Sequence, residues 1–315
     1  MLVEYALVPD VLDSTCYSSP ELCEASLQIL KPILLEEAPV RDLRGGEWWN
    51  YLLDWIKTLP EQCHPKAKEL LKKLKQKEHI RTVPFCGPQQ PSCPAAWLEE
   101  ALASHQWQNL VWVITLSEVA RQHRDNPLII SIDKLTSADW RRRHESSIEI
   151  PKQSSTYLQH LRLLLNHANS ILFIDPYLDP TQSHYQEFHF LLKAIKRVGI
   201  PPLVEIHVAA KGKDKQGGDR SQFPLTEWKS RFCPLKSALE ESGLRAEVFV
   251  WEYFHDRFIL TNLAGLTLSG GLDVIQDPTA RVIWSRLPNS LRDEKQSDFS
   301  RNSAKHTLKY HFELS

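Results

Sequence analysis

The chain has 315 residues, 42% of them hydrophobic, and its 38 lysines and arginines against 39 acidic residues give a formal net charge of -1. That apolar content can fill a core and leaves room for two domains of ordinary size, which sets disorder aside. The balanced charge removes the long-range attraction expected of a dedicated nucleic-acid coat protein, though a local basic groove is compatible with it. No stretch approaches the roughly 18 to 20 apolar residues of a bilayer span, and Met1 to Asp10 lacks the charged start and apolar run of a signal peptide, so a cytoplasmic location is expected.

In chain order, Tyr5 to Val8 reads as a strand. Pro20, preceded by Ser18 and Ser19 as caps, opens a helix to about Glu37, and Gly45-Gly46 breaks the chain before a second helix, Glu47 to Leu59. Trp48, Trp49, Tyr51 and Trp55 on that helix stand at core-anchor spacing. Pro65 to Lys77 is a third helix, whose lysines at 66, 68, 72, 73, 75 and 77 read as a solvated face. A loop rich in Pro and Cys (Pro84 to Pro94) and a helix to Ser104 follow, then strands at Leu110 to Ile114 and Leu128 to Ile132 that are expected near the centre of a sheet.

The composition turns polar and basic at Trp140 to Ser147, with Arg141 to His144 at its centre, which places a domain boundary at about residues 145 and 146. Beyond it, helices are expected at Thr156 to Asn169, Tyr185 to Val198 and Pro224 to Ser242, and strands at Ser170 to Ile174, Val204 to Ala209 and Ala246 to Trp251. Paired strands at Arg257 to Asn262 and Gly265 to Ser269 close the series. The fold class is therefore α/β in two domains, 1–145 and 146–315.

The six cysteines (Cys16, Cys23, Cys63, Cys86, Cys93, Cys233) are irregularly spaced and read as free thiols. Cys63-His64 with Cys86 and Cys93 has zinc-ligand chemistry but not the CxxC pairs of a zinc ribbon, so no metal or other cofactor is expected.

In the second domain, the strand Ile171 to Ile174 ends at Asp175-Pro176-Tyr177, and a later one leads through Tyr253-Phe254 into His255-Asp256-Arg257-Phe258-Ile259-Leu260-Thr261-Asn262 and on to Ser269-Gly270-Gly271-Leu272-Asp273. This series resembles the phospholipase D-like superfamily, in particular members that carry one motif copy per chain. The resemblance implies a mixed sheet flanked by helices. It puts His255 in the nucleophile position, Arg257 in that of the lysine, Asn262 in that of the aspartate, and Ser269 and Gly270 at the phosphate-binding turn, while Leu272 falls on the family's asparagine. It further implies a metal-independent nuclease working through a phosphohistidine, in a homodimer that brings two histidines together, with genome defence as a plausible setting.

The chemistry is general. Imidazole is nucleophilic at neutral pH, and covalent catalysis divides one hard displacement into two. Fixed cations stabilise charge on phosphate oxygens without a metal. An amide at 262 lacks the charge of the family's carboxylate, for which Asp256 or Asp273 are the candidate substitutes.

Lys211 and Lys213, in the glycine-containing loop from Lys211 to Arg220, are candidates to close over a phosphate. Two alternatives stay open. In one, the domain has kept the fold and lost the chemistry, serving as a phosphate-, nucleic-acid- or protein-binding module. Or Asp10 and Asp13, with Asp54, Asp125 and Asp133, form a magnesium site of a PIN-like nuclease in the first domain, whose aromatic helices are also candidates to dock a protein partner.

Overall fold

The computed structural model describes residues 3–37, 39–58, 64–137, 146–195, 200–211 and 219–314. They divide into two compact units, Val3–Glu145 and Ser146–Ser315. Cys63, residues 141–144 and Lys213 lie outside the described residues.

The first unit is built on five parallel strands, β1 (Tyr5–Leu7), β2 (Val40–Asp42), β3 (Ile80–Thr82), β4 (Trp112–Thr115) and β5 (Ile129–Ser131), in the order β3-β2-β1-β4-β5. The order reverses at β1, the mark of a doubly wound sheet. The wholly buried β1 is central. β4 is internal, but β5, expected near the centre, is an edge strand on which Ile129 and Ile130 stay half-buried. β2 and β3 have three residues each and carry Arg41 and Arg81, so no hydrophobic run announces them.

Those arginines meet one buried carboxylate. Arg41 makes a two-pronged pair with Glu4 (Nε to Oε1 2.9 Å, Nη2 to Oε2 2.7 Å), and Arg81 Nη1 donates to the same Oε2 at 2.7 Å. The remaining Arg41 nitrogen donates to the Ser104 and Gln108 carbonyls and to the Ser104 hydroxyl. The helix Pro20–Pro32 opens where expected, with the Ser19 hydroxyl accepting from the Leu22 amide. Helix Glu47–Thr58 begins on the Asp42 carboxylate, which accepts from the Trp49 amide at 2.9 Å, and Trp48 is a buried anchor whose indole donates to the Leu7 carbonyl at 3.0 Å. On helix His64–Gln76, Lys66 and Lys73 pair with Glu24 and Glu69 at the surface.

The second unit holds eight strands, β6 (Ser147–Pro151), β7 (Ser170–Ile174), β8 (Leu203–Ala209), β9 (Ala246–Trp251), β10 (Phe258–Thr261), β11 (Gly265–Leu268), β12 (Arg281–Leu287) and β13 (Leu308–Leu314). Their order is β13-β9-β8-β7-β10-β11-β12-β6, with β7, β8 and β9 parallel and every other pair antiparallel. This is the mixed sheet of an α/β fold. Ile259 points into one core with helix Ser154–His167, while Phe258 and Leu260 point into the other with Phe299, the alternation that a strand imposes. The expected helix over Pro224 to Ser242 is broken at Cys233–Leu235 by Pro234, leaving Leu225–Phe232 and Lys236–Glu241.

His207 on β8 is fully buried beside Phe249 and Trp251, its ring near-parallel to both. The Trp251 indole donates to its Nδ1 at 3.0 Å, which leaves the proton on Nε2, 3.0 Å from the Glu205 carboxylate. Burial holds its pKa below the ordinary value, against the pull of Glu205 and Glu247.

Two outcomes follow from these buried charges. Glu4→Ala leaves two buried arginines without their carboxylate and should cost about 3–5 kcal/mol, read as a lowered urea midpoint. A histidine whose folded pKa is depressed gives stability that is present above its unfolded value, about 6.5, and lost as pH falls below it. The urea midpoint should therefore drop from pH 7.5 to pH 5.5 in the native protein, and drop less in His207→Gln.

Candidate functional site

The sheet of the second unit gathers its chemistry at one edge, where the three parallel strands end. Asp175 follows β7, Lys211 follows β8, Tyr253 and His255 follow β9, and Arg257 immediately precedes the antiparallel β10. Ser269, Gly270 and Gly271 follow β11, and Lys152 follows β6. Crevices at the carboxyl ends of parallel strands are where open α/β sheets bind ligands.

Asp175 organises this edge. It is completely buried and accepts three hydrogen bonds, from the Tyr177 amide (3.0 Å), the Leu272 amide (2.8 Å) and the Tyr185 hydroxyl (3.0 Å). Burial pushes its pKa up, while those donors and the charge of Arg257 pull it down. Gly271 is required by this packing: a Cβ there would sit 2.6 Å from Asp175 Oδ2 and 2.7 Å from the Tyr185 hydroxyl.

Phe258 pairs with Ile174 on one side and Thr267 on the other, so Arg257 lies between Asp175 and Leu268, whose amide donates to the Arg257 carbonyl at 3.0 Å. Its guanidinium lies 5.3 Å from the Tyr177 ring centroid, and its Nε is buried with no hydrogen-bond partner. His255 is exposed, with its ring edge-on to Tyr253 at 4.7 Å. The exposed Lys211 places Nζ 5.1 Å from the other partner of that contact, the Tyr253 ring. Four cationic or ionisable nitrogen groups thus line one edge when Lys152 is added, although Lys152 is already held by Asp273 at 2.7 Å.

Of the residues singled out by sequence, the structure brings His255, Arg257, Lys211, Ser269 and Gly270 to this edge and leaves Asn262 out. Asn262 follows the far end of β10, roughly 20 Å along the chain from His255 at strand rise. There its Oδ1 accepts from the Asn169 amide at 2.8 Å and its carbonyl accepts from Arg292, so it fastens the start of β7 and has no part in orienting His255. Of the candidate substitutes, Asp273 is bound to Lys152. Among the described residues, no carboxylate hydrogen-bonds to the His255 ring. The Ser269 hydroxyl accepts from the Ile283 amide at 2.9 Å, and Gly270 lies against Lys152.

Magnesium ligation in the first unit finds no ligand set, because among the described residues no three His, Cys, Asp or Glu gather to hold a metal. The Asp13 carboxylate accepts from the Thr15 amide and hydroxyl, Asp54 pairs with Lys57, Asp133 accepts from Ser117, and Asp125 is exposed. Only Asp10 is set apart, its pKa pushed up to about 6 by burial and by the neighbouring Asp13.

No family model matches the chain, and no curated protein matches it. Among solved structures it is similar to TrmBL2, an archaeal chromatin protein whose structure shows a novel mode of DNA binding, at 13% identity over 80% of this chain and 84% of that one, with a TM-score of 0.28. It is also similar to polyphosphate kinase from Porphyromonas gingivalis, at 12% identity over 73% of this chain and 34% of that one, with a TM-score of 0.32. The chain spans about a third of the kinase, and superpositions this loose do not bear on function. No helix among the described residues is long and apolar enough to cross a membrane.

The Asp175 anchorage is testable without a ligand. Gly271→Ala forces a methyl group against the buried carboxylate and should destabilise the protein by about 1–3 kcal/mol, seen in urea unfolding. A midpoint equal to that of the native chain would refute the close approach.

Proposed function

We propose that the second unit is a phospholipase D-like domain whose strand-end edge binds the phosphodiester backbone of nucleic acid. The observation that carries this reading is Arg257. A half-buried guanidinium whose Nε has no hydrogen-bond partner among the described residues, at the same strand-end edge as the exposed Lys211 and His255, is a cation suited to an anion. Lys211 and His255 extend the contact along the edge, and a planar guanidinium can bond two phosphate oxygens at once. The first unit is a separate domain of 1–145 with no assigned chemistry.

Cleavage is the second reading, favoured by the exposure of His255 and by its ring making no hydrogen bond among the described residues. In a two-fold dimer, one His255 would attack phosphorus, forming the N–P bond as the P–O bond to the leaving alcohol breaks. The partner's His255 would supply the proton, and water would then hydrolyse the N–P bond.

Both readings meet one experiment, in which fluorescent single- and double-stranded DNA and RNA are titrated with the protein in EDTA over a range of salt. Arg257→Ala should weaken binding about tenfold whatever the sequence and lower the salt slope by about one. Metal-independent cleavage abolished in His255→Ala establishes the enzyme. Binding without cleavage establishes the module, and no salt-dependent binding at all removes the proposal.

A further inference from the structure

Three large hydrophobic or aromatic rings are exposed in the second unit, Tyr177 (37%), Phe190 (42%) and Tyr253 (47%), and two of them stand at the phosphate-binding edge. Tyr177 follows β7 and Tyr253 follows β9, with β8 between them, so they are roughly 10 Å apart by the spacing of strands. Each already carries a cation from the edge, Arg257 on Tyr177 and Lys211 on Tyr253.

Neither ring is a loose surface side chain. The Tyr177 amide donates to the buried Asp175, and the preceding Pro176 carbonyl accepts from the Ala209 amide at 3.2 Å and from the buried Arg220 guanidinium at 3.2 Å. Tyr253 contacts Lys211 and the His255 ring. Exposing phenol rings at fixed positions sacrifices the burial that such rings normally gain, and at a phosphate site it supplies flat faces beside the charges.

Flat faces beside phosphate-binding cations match one kind of phosphodiester. A lipid headgroup would leave them unused, since acyl chains need an apolar slot. Bases in a duplex are already stacked on each other and cannot reach them. The bases of a single strand are free to stack, and any base offers a π-face, so such a platform tolerates sequence. Building on the proposed phosphate contacts of Arg257 and Lys211, we infer that this edge selects single-stranded nucleic acid, with bases flanking the bound phosphate stacked on Tyr177 and Tyr253.

The test measures the affinity of the full chain for four probes: a single-stranded oligonucleotide, a duplex with the same number of phosphates, an abasic oligomer with the same backbone, and vesicles containing anionic phospholipid. The single strand should bind about tenfold or more tighter than the duplex and the abasic oligomer. Tyr177→Leu and Tyr253→Leu should each remove about tenfold from the base-bearing strand and leave the abasic oligomer unchanged, while Tyr177→Phe and Tyr253→Phe keep the native affinity. Equal affinity for abasic and base-bearing strands, untouched by the leucine variants, overturns the stacking inference and leaves the phosphate reading standing if Arg257→Ala still weakens both. Affinity for the vesicles in place of every oligonucleotide, or indifference of all probes to Arg257→Ala, overturns the nucleic-acid reading beneath it.

Discussion

The second unit depends on one carboxylate taken out of water. Asp175 has no exposed surface, and an isolated buried charge would be costly enough to forbid the fold. Its three donors come from three places in the chain: the turn after β7, the short helical turn Ser183–Tyr185, and the glycine turn after β11. Folding therefore has to bring those segments together, and once it does, the end of β7 and the turn of β11 are locked at the same edge. Arg257 completes the arrangement as the cation whose charge opposes the effect of burial. Removing any one member would leave the others short of partners, which is why Gly271 has room for no side chain at all.

The two units hold their buried arginines differently. In the first, Arg41 directs every nitrogen at Glu4, Ser104 or Gln108, so its charge is consumed by the fold. In the second, Arg257 keeps a buried Nε unpartnered, and Arg220, almost wholly buried, bonds only the Pro176 carbonyl and rests on the Trp228 ring, with Nε and Nη2 unpartnered. Unsatisfied buried donors cost stability. The Arg220 guanidinium bonds the Pro176 carbonyl and so helps fix the turn that presents Tyr177. Among the described residues, unpartnered buried donors occur in both units, among them the Trp55 and Trp97 indoles in the first and Arg220 and Arg257 in the second.

Much of this edge was legible in the sequence, because apolar strands running into Asp175-Pro176-Tyr177, His255-Asp256-Arg257 and Ser269-Gly270-Gly271 leave few other places for those residues. What was not legible has physical causes. Counting from His255 to Asn262 gives a motif spacing but not a direction, and a strand carries the second residue to the opposite edge, where it binds the Asn169 amide. Leu272, which as a side chain can do nothing for a phosphate, contributes through its backbone amide to Asp175, a role indifferent to residue type. Lys152 carries no motif of its own, and its place at this edge follows from the strand before it, β6, which pairs with β12. In the first unit, β2 and β3 were hidden by the very arginines that cross-link them to Glu4.

The placement of His255 decides how the two functional readings rank. A histidine nucleophile works when a neighbouring group fixes its tautomer and orientation and when an acid stands across the phosphate from it. His207 shows what such fixing looks like in this protein: one ring nitrogen accepts from Trp251 and the other faces Glu205, but it is sealed in the core where no substrate reaches. His255 has the opposite properties, exposed to a ligand and touched only by an aromatic edge. Among the described residues, no carboxylate hydrogen-bonds to the His255 ring. On the proposed reading, a phosphate contact by Arg257, Lys211 and His255 would need a single copy, whereas a nucleophile and an acid would need a second copy to supply the other histidine. Binding asks for nothing beyond the groups this chain already gathers, and cleavage asks for an interface as well.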